Sequence, residues 1–219
     1  MLVNLTVNGF AAIFAAMNSV PQVSAKQILI IAAPSGAGKT SITHFLLDKY
    51  ADKLAFSISA TTRQARGNEV HGKDYYFIDV AEFQQKIQEN AFVEWEMVYE
   101  GKYYGTLKSE LERIWALGKT PILDIDVKGA IHIQSQFAPN QTKSIFIMPP
   151  SVAELKRRLE SRGNESPESI AIRVNKASYE ISFKDSFDEI ILNDNLQKAC
   201  WETEQVISNF LGWNKSTIL

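Results

Sequence analysis

Residues 27–40 read QILIIAAPSGAGKT, a continuous apolar run that passes straight into a glycine-bearing turn and then into a lysine–threonine pair. An unbroken run of Ile, Leu and Ala is what a strand carries when both faces of its sheet are covered, so residues 27–32 predict a buried strand of a parallel sheet. Residues 40–50 follow with helical periodicity. The turn Ala33-Pro34-Ser35-Gly36-Ala37-Gly38-Lys39-Thr40 therefore joins a strand to a helix, the setting in which a glycine-rich loop can wrap an anion. Its glycines let successive backbone N–H groups turn inward, and the helix N-terminus, which includes Ser41, adds positive potential. Lys39 is expected to reach the β- and γ-phosphates of ATP, and the Thr40 hydroxyl to ligate Mg²⁺ directly. The usual pattern opens on glycine. Here Ala33 stands in that place, so the backbone at position 33 must tolerate a Cβ.

Two further apolar runs, residues 121–125 (PILDI) and 143–148 (KSIFIM), each follow a helix-like stretch and precede another, and residues 189–192 (EIIL) repeat the pattern late in the chain. Strands alternating with helices imply βαβ units, so the fold class is α/β with a mostly parallel sheet. Two segments break this rhythm. Residues 57–106 are rich in Thr, Tyr, Gly and charge, with short alternating pieces at 74–78 (DYYFI) and 92–98 (FVEWEMV), and predict a small insert of antiparallel strands. Residues 161–169 (SRGNESPES) are polar and turn-forming between helices expected at 152–160 and 169–183, and read as a lid. The expected division is an extension at 1–26, a domain at 27–211 and a tail at 212–219. Within the domain, the core is expected at 27–56, 107–150 and 171–211, the insert at 57–106 and the lid at 151–170.

At 219 residues and 45% hydrophobic composition the chain can bury one sizeable core, but it is short for two. A formal net charge of −2 argues against a partner as extended as a nucleic acid, so phosphate binding must be local. Cys200 is the single cysteine, which rules out an internal disulfide and fits a cytoplasmic protein. The apolar stretch at 9–17 (GFAAIFAAM) is preceded by no Lys or Arg and is far shorter than a membrane span, so it reads as an untargeted extension, with Met17 as a candidate start.

A phosphate loop alone serves GTPases, motor ATPases and kinases alike. A GTPase calls for an Asn-Lys-x-Asp guanine motif. Asn175-Lys176-Ala177-Ser178 lacks the Asp and falls within an expected helix.

The insert narrows the choice. Residues 56–72 (FSISATTRQARGNEVHG), followed by Lys73-Asp74-Tyr75-Tyr76-Phe77, closely resemble the GMP-binding region of guanylate kinases. Phe92-Val93-Glu94-Trp95, Tyr103-Tyr104-Gly105-Thr106 and Ile122-Leu123-Asp124-Ile125-Asp126 occur in that family's order and spacing, and the resemblance runs from about residue 27 to near the C-terminus. It implies the phosphate-loop nucleoside-phosphate kinase fold and transfer of the γ-phosphoryl group of Mg·ATP to GMP, and to dGMP, giving ADP and the nucleoside diphosphate. ATP and GMP are then the partners, with no nucleic acid and no membrane, and nothing in the sequence chooses between a monomer and a homo-oligomer.

The same residues suit that ligand chemically. Arg63 and Arg66 lie three apart in a polar loop, and guanidinium groups bind a phosphate dianion through paired donors. By resemblance they hold the GMP phosphate together with the hydroxyls of Tyr75 and Tyr104, and Glu69 belongs to the same region. Glu94 stands between Val93 and Trp95, where a carboxylate needs partners. Guanine offers N1–H and a 2-amino group as two parallel donors and adenine does not, so Glu94 is the expected base discriminator. Ser59 and Thr106 match hydroxyls on the purine's O6/N7 side. Asp124 and Asp126 fall at the end of a predicted strand, two apart and so on one face. By resemblance they organise Mg²⁺ through water and the nearby Arg63. Lys128 replaces a glutamine that many relatives carry.

Arg158 and Arg162 lie one helical turn apart, Arg173 lies across the polar turn, and all three match the family's lid arginines. With Lys39 and Arg63 they form the expected catalytic set, which acts by positioning and charge stabilisation. No general base is required, because the accepting phosphate oxygen is already ionised. His44, His71 and His132 therefore read as surface or packing residues. Two rivals differ in class. A kinase for another phosphorylated acceptor, such as a ribose bisphosphate, would not need Ser59, Glu94 and Thr106 together. A non-catalytic scaffold module would be expected to lose parts of the loop or lid.

Overall fold

The computed structural model describes residues 26–161 and 166–213, apart from the side chain of Tyr99. Arg162, nearly all of the expected N-terminal extension and most of the expected tail lie outside the described residues.

The central sheet has five parallel strands. β1 (Ile28–Ala32) lies at its middle, with β7 (Thr120–Asp124) and then β2 (Leu54–Phe56) on one side, and β8 (Thr142–Met148) and then β9 (Glu189–Leu192) on the other. All five residues of β1 are buried, as its uninterrupted apolar run predicts. Because side chains alternate along a strand, Leu29 and Ile31 enter one core with Ile42, Leu46, Ile145 and Ile207, under helices α1 (Lys39–Lys49) and α7 (Leu196–Phe210). Ile28, Ile30 and Ala32 enter the other core, with Leu111 and Ile133 from α3 (Lys108–Ala116) and α4 (Val127–Gln136). Each such aliphatic side chain contributes about 1.5–3 kcal/mol on burial, so the two-sided core accounts for why this run is continuous and not alternating. β2 was not anticipated. Its three residues are too few to establish a period.

The chain leaves β1 toward β2 and β7 on one side and later fills β8 and β9 on the other, which puts a topological switch point at the C-terminal end of β1.

The insert forms a second sheet in the order β4 (Tyr76–Phe77), β3 (Ala60–Thr61), β6 (Lys102–Leu107), β5 (Phe92–Tyr99). β3–β6 and β5–β6 are antiparallel as expected, but β3 and β4 run parallel, and α2 (Val80–Gln88) crosses over between β4 and β5. Phe83 of α2 explains the helix: it stacks on Phe92 at 4.4 Å and on Tyr103 at 5.2 Å and gives the small sheet its own core. β5 and β6 meet closely at Gly105, where any Cβ would lie 2.8 Å from the Glu94 carbonyl oxygen.

Around the expected lid, α5 (Val152–Glu160) is capped by Ser151 Oγ, and α6 (Pro167–Ile181) by Ser166 Oγ with Pro167 in its first turn. Leu155 and Leu159 of α5 pack on Ile170 and Ala177 of α6. No helix among the described residues is long and apolar enough to cross a membrane. Trp213, the last described residue, packs against Tyr50 with ring centroids 4.6 Å apart.

Candidate active site

A cavity of about 480 Å³ opens at the switch point. The turn after β1 forms one wall, with Ala33, Pro34, Ser35, Gly36, Gly38, Lys39, Thr40 and Ser41 all lining it. Gly38 is the N-cap of α1 in the left-handed region, at φ 96°, and Gly36 lies at φ 93°. Ala33 needs no such backbone, since Asn90 is the one non-glycine residue with positive φ among the described residues, and this accounts for an alanine where glycine is usual. Ala37 is buried, and its carbonyl accepts a 2.7 Å hydrogen bond from Asn193 Nδ2. Asn193 follows β9 and would collide with any Cβ on Gly38. The Lys39 ammonium forms an ion pair with the Asp124 carboxylate at the end of β7.

The insert supplies the opposite wall through Ser59, Tyr75, Glu94 and Tyr104. Glu94 is 7% exposed, and Thr106 Oγ1 donates to its Oε1 at 2.6 Å. Burial pushes the Glu94 carboxyl up to about 7, against the opposing effect of the Thr106 hydrogen bond. Thr106 itself is fully buried and meets the cavity only through Glu94.

Arg63 and Arg66 do not line the cavity. Arg63 forms a two-pronged pair with Glu69 at 2.6 and 2.7 Å, and its guanidinium lies 4.7 Å from the ring centroid of Tyr75. Glu69 also accepts the Arg66 backbone N–H at 2.8 Å, and with Arg63 as the larger influence its carboxyl is drawn down to about 2. The Arg66 side chain is exposed. The expected grouping of Arg63 with Asp124 and Asp126 is thus replaced here by the Arg63–Glu69 pair, because Glu69 sits six residues away in the same loop and presents both oxygens to the guanidinium fork.

β7 ends at Asp124, so the two aspartates do not share a strand face. Asp126 is the N-cap of α4 and accepts the Gly129 N–H at 2.8 Å, yet both carboxylates line the cavity. Glu96, two residues beyond Glu94 on the same face of β5, lies beside Asp126. Their mutual hydrogen bond, followed by burial, raises Glu96 to about 7. For Asp126, burial pushes upward, but the Glu96 and Gly129 hydrogen bonds outweigh it and hold the group low. Lys128, in place of the usual glutamine, stands 3.7 Å from Glu96.

Arg173 Nη1 donates to Ser35 Oγ at 2.8 Å and so reaches the phosphate loop. Arg158 donates to Glu154 at 2.9 Å and to the Asn193 carbonyl at 3.0 Å. Arg162 lies outside the described residues. Sequence reasoning missed Glu96, Lys176 and Glu180, which line the cavity, and Asn193, which braces the loop. The strand period could have found Glu96. Lys176 and Glu180 lie three and seven residues after Arg173, on its side of α6, a spacing that the sequence also carried.

Thr40, Asp124 and Asp126 fit a Mg²⁺ ion: all offer hard oxygen donors and all line one cavity with the phosphate loop. Among the described residues no three His, Cys, Asp or Glu form a metal-holding group.

A family model described as guanylate kinase matches residues 25–210. A guanylate kinase of Bacteroides fragilis is 45% identical over 186 residues, spanning 85% of this chain and 90% of that protein. A guanylate kinase of Porphyromonas gingivalis is 45% identical over 185 residues, spanning 84% of this chain and 98% of that one. Among solved structures, guanylate kinase from Anaplasma phagocytophilum superposes with a TM-score of 0.63 at 31% identity, covering 89% of each chain. A phosphate loop facing a buried carboxylate across one cavity agrees with all of these matches, and the chain belongs to the guanylate kinase family.

Proposed function

We propose that this chain transfers the γ-phosphoryl group of Mg·ATP to GMP, and to dGMP, giving ADP and the nucleoside diphosphate. The observation that carries the proposal is the cavity itself: the phosphate loop lines one wall, and the other presents the buried Glu94, held by Thr106. In this reading the loop's backbone N–H groups and Lys39 hold the ATP phosphates, and Lys39 exchanges its Asp124 partner for phosphate oxygens. Glu94 accepts guanine N1–H and the 2-amino group, Ser59 serves the O6/N7 side, and Thr106, whose hydroxyl proton goes to Glu94, acts on GMP through that carboxylate. Arg63, Arg66, Tyr75 and Tyr104 hold the acceptor phosphate, with Glu69 fixing the Arg63 fork. Asp124 and Asp126 orient water around the metal, and Thr40 binds it directly. Mg²⁺, when bound, supplies charge neutralisation across the phosphates.

The accepting oxygen is ionised near neutral pH, so the chain's own residues position the nucleotides and stabilise charge. Arg158, Arg162 and Arg173 gather on the transferring group and exclude water when the lid closes over the core, with the insert closing from the other side. In this reading the core comprises residues 27–56, 107–150 and 171–211, the insert 57–106 and the lid 151–170. The single buried Cys200 suits a reducing cytoplasm.

ADP release from Mg·ATP across GMP, dGMP, AMP, UMP and a ribose bisphosphate tests the assignment. Turnover is expected with GMP and dGMP. Turnover with another acceptor and none with GMP overturns it.

A further inference from the structure

Glu110, on α3, lies outside the cavity, and its side chain is 1% exposed. Each of its oxygens nevertheless accepts two hydrogen bonds. Oε1 takes the Ile58 N–H at 3.0 Å and Arg113 Nη2 at 2.8 Å, and Oε2 takes the Tyr76 hydroxyl at 2.8 Å and Arg113 Nε at 2.8 Å. These four donors fill the acceptor sites of an ionised carboxylate. Burial pushes the group's pKa up, but Arg113, Ile58 and Tyr76 together bring it below its ordinary value.

Two of the four bonds leave α3 for the insert, and each lands next to a residue of the cavity wall. Ile58 precedes Ser59 and Tyr76 follows Tyr75, and both Ser59 and Tyr75 line the cavity. The Tyr76 N–H donates to the Ser59 carbonyl at 2.9 Å, which closes a ring through Glu110, Ile58, Ser59 and Tyr76. Ile58 and Ser59 lead into β3 and Tyr76 opens β4, strands of two residues each, so their own ladder does little to fix their place.

We propose that Glu110 is a positioning residue for the acceptor nucleotide: by tying α3 to Ile58 and Tyr76 it sets where Ser59 and Tyr75 meet GMP. The inference rests on the acceptor-site reading above. Glu110 touches no substrate, and its effect is therefore expected in how well GMP is held, with ATP unaffected because the phosphate loop is borne on β1 and α1.

Steady-state kinetics on Tyr76→Phe and Glu110→Ala, with thermal unfolding alongside, test it. Tyr76→Phe deletes one hydroxyl and leaves the Ile58 and Arg113 bonds in place. Losing a hydrogen bond to a charged group is expected to raise the KM for GMP about five- to tenfold, with the KM for ATP and kcat within about twofold. Combined with Ser59→Ala, it should give less than the product of the two single effects, because both act through the Ser59 contact. If Glu110→Ala does not fold, Tyr76→Phe and its cycle with Ser59→Ala decide alone. A lowered melting temperature with unchanged KM for GMP makes Glu110 structural only and overturns the inference, as does a strictly multiplicative cycle. No turnover of GMP by the unaltered chain overturns the acceptor reading and this inference with it. Normal GMP turnover with an unaffected Tyr76→Phe overturns this inference alone.

Discussion

Thr106 Oγ1 donates a 2.6 Å hydrogen bond to Oε1 of Glu94, and through it a fully buried hydroxyl holds a carboxylate in the wall of the cavity. An amide at position 94 cannot accept both guanine donors. Glu94→Gln is expected to lower kcat/KM for GMP about 100-fold or more, with the KM for ATP within about twofold, because a site built on hydrogen bonds leaves buried groups unpaired when a partner is lost. Initial-rate kinetics with each substrate varied in turn check this.

The raised pKa of Glu94 gives that residue a pH signature. Its proton favours the folded state, so the stability it contributes is fully present below about 4.5 and is lost as pH rises through about 7. Glu94→Gln carries no such proton. Relative to the unaltered chain, the variant should therefore gain up to about 3 kcal/mol between pH 5 and pH 8, as measured by denaturant unfolding without nucleotide. If Glu94 accepts the guanine donors as a carboxylate, as proposed, the KM for GMP in the unaltered chain should climb as pH falls below 7.

Arg63 and Glu69 make a further case, since two parallel contacts of 2.6 and 2.7 Å fix the plane of the guanidinium. A lysine keeps the charge but loses the fork. Arg63→Lys is expected to lower kcat/KM for GMP about 100-fold, and Glu69→Ala to raise the KM for GMP about tenfold by freeing the fork. Equal kinetics in both variants and the unaltered chain would remove the pair from the acceptor site.

In the phosphate loop, Gly38 combines a φ of 96° with a Cβ position that Asn193 already fills. Gly38→Ala should abolish measurable ATP binding by calorimetry. It should also cost about 1–3 kcal/mol of stability from backbone strain, with the displacement of Asn193 in addition.

Arg173 reaches Ser35 at 2.8 Å and so links the lid helix to the loop. If its charge acts on the transferring phosphoryl group, Arg173→Ala lowers kcat about 10²- to 10³-fold with little change in the KM for GMP. Single-turnover phosphoryl transfer separates that loss from slow product release.

Sequence alone determined the features that depend on neighbours along the chain. The apolar run through Ile28–Ala32 could only be a strand covered on both faces, and it is. The glycines of the loop, the lysine after them and the helix that follows form a local unit whose geometry is dictated by backbone sterics, and Gly36, Gly38 and the helix's first residues, Lys39 to Ser41, line the cavity. The order of motifs around Glu94, Tyr104 and Asp124 likewise identified the family.

Tertiary structure alone decided the pairings between distant residues. No local rule foretells that Lys39 meets Asp124, or that Asn193, more than 150 residues after Ala37, braces the loop. Period-two reasoning put Asp124 and Asp126 on one strand face. The strand instead ended between them, because Asp126 caps the helix expected after that run and so already belongs to the turn into it. Likewise, Phe83 turned part of the insert into a helix because its ring had a core to fill with Phe92 and Tyr103. A carboxylate's partners and its burial are properties of the assembled sheet and helices, which is why Glu94 could be singled out from the chain while the hydroxyl bond that holds it and the burial that raises its pKa could not.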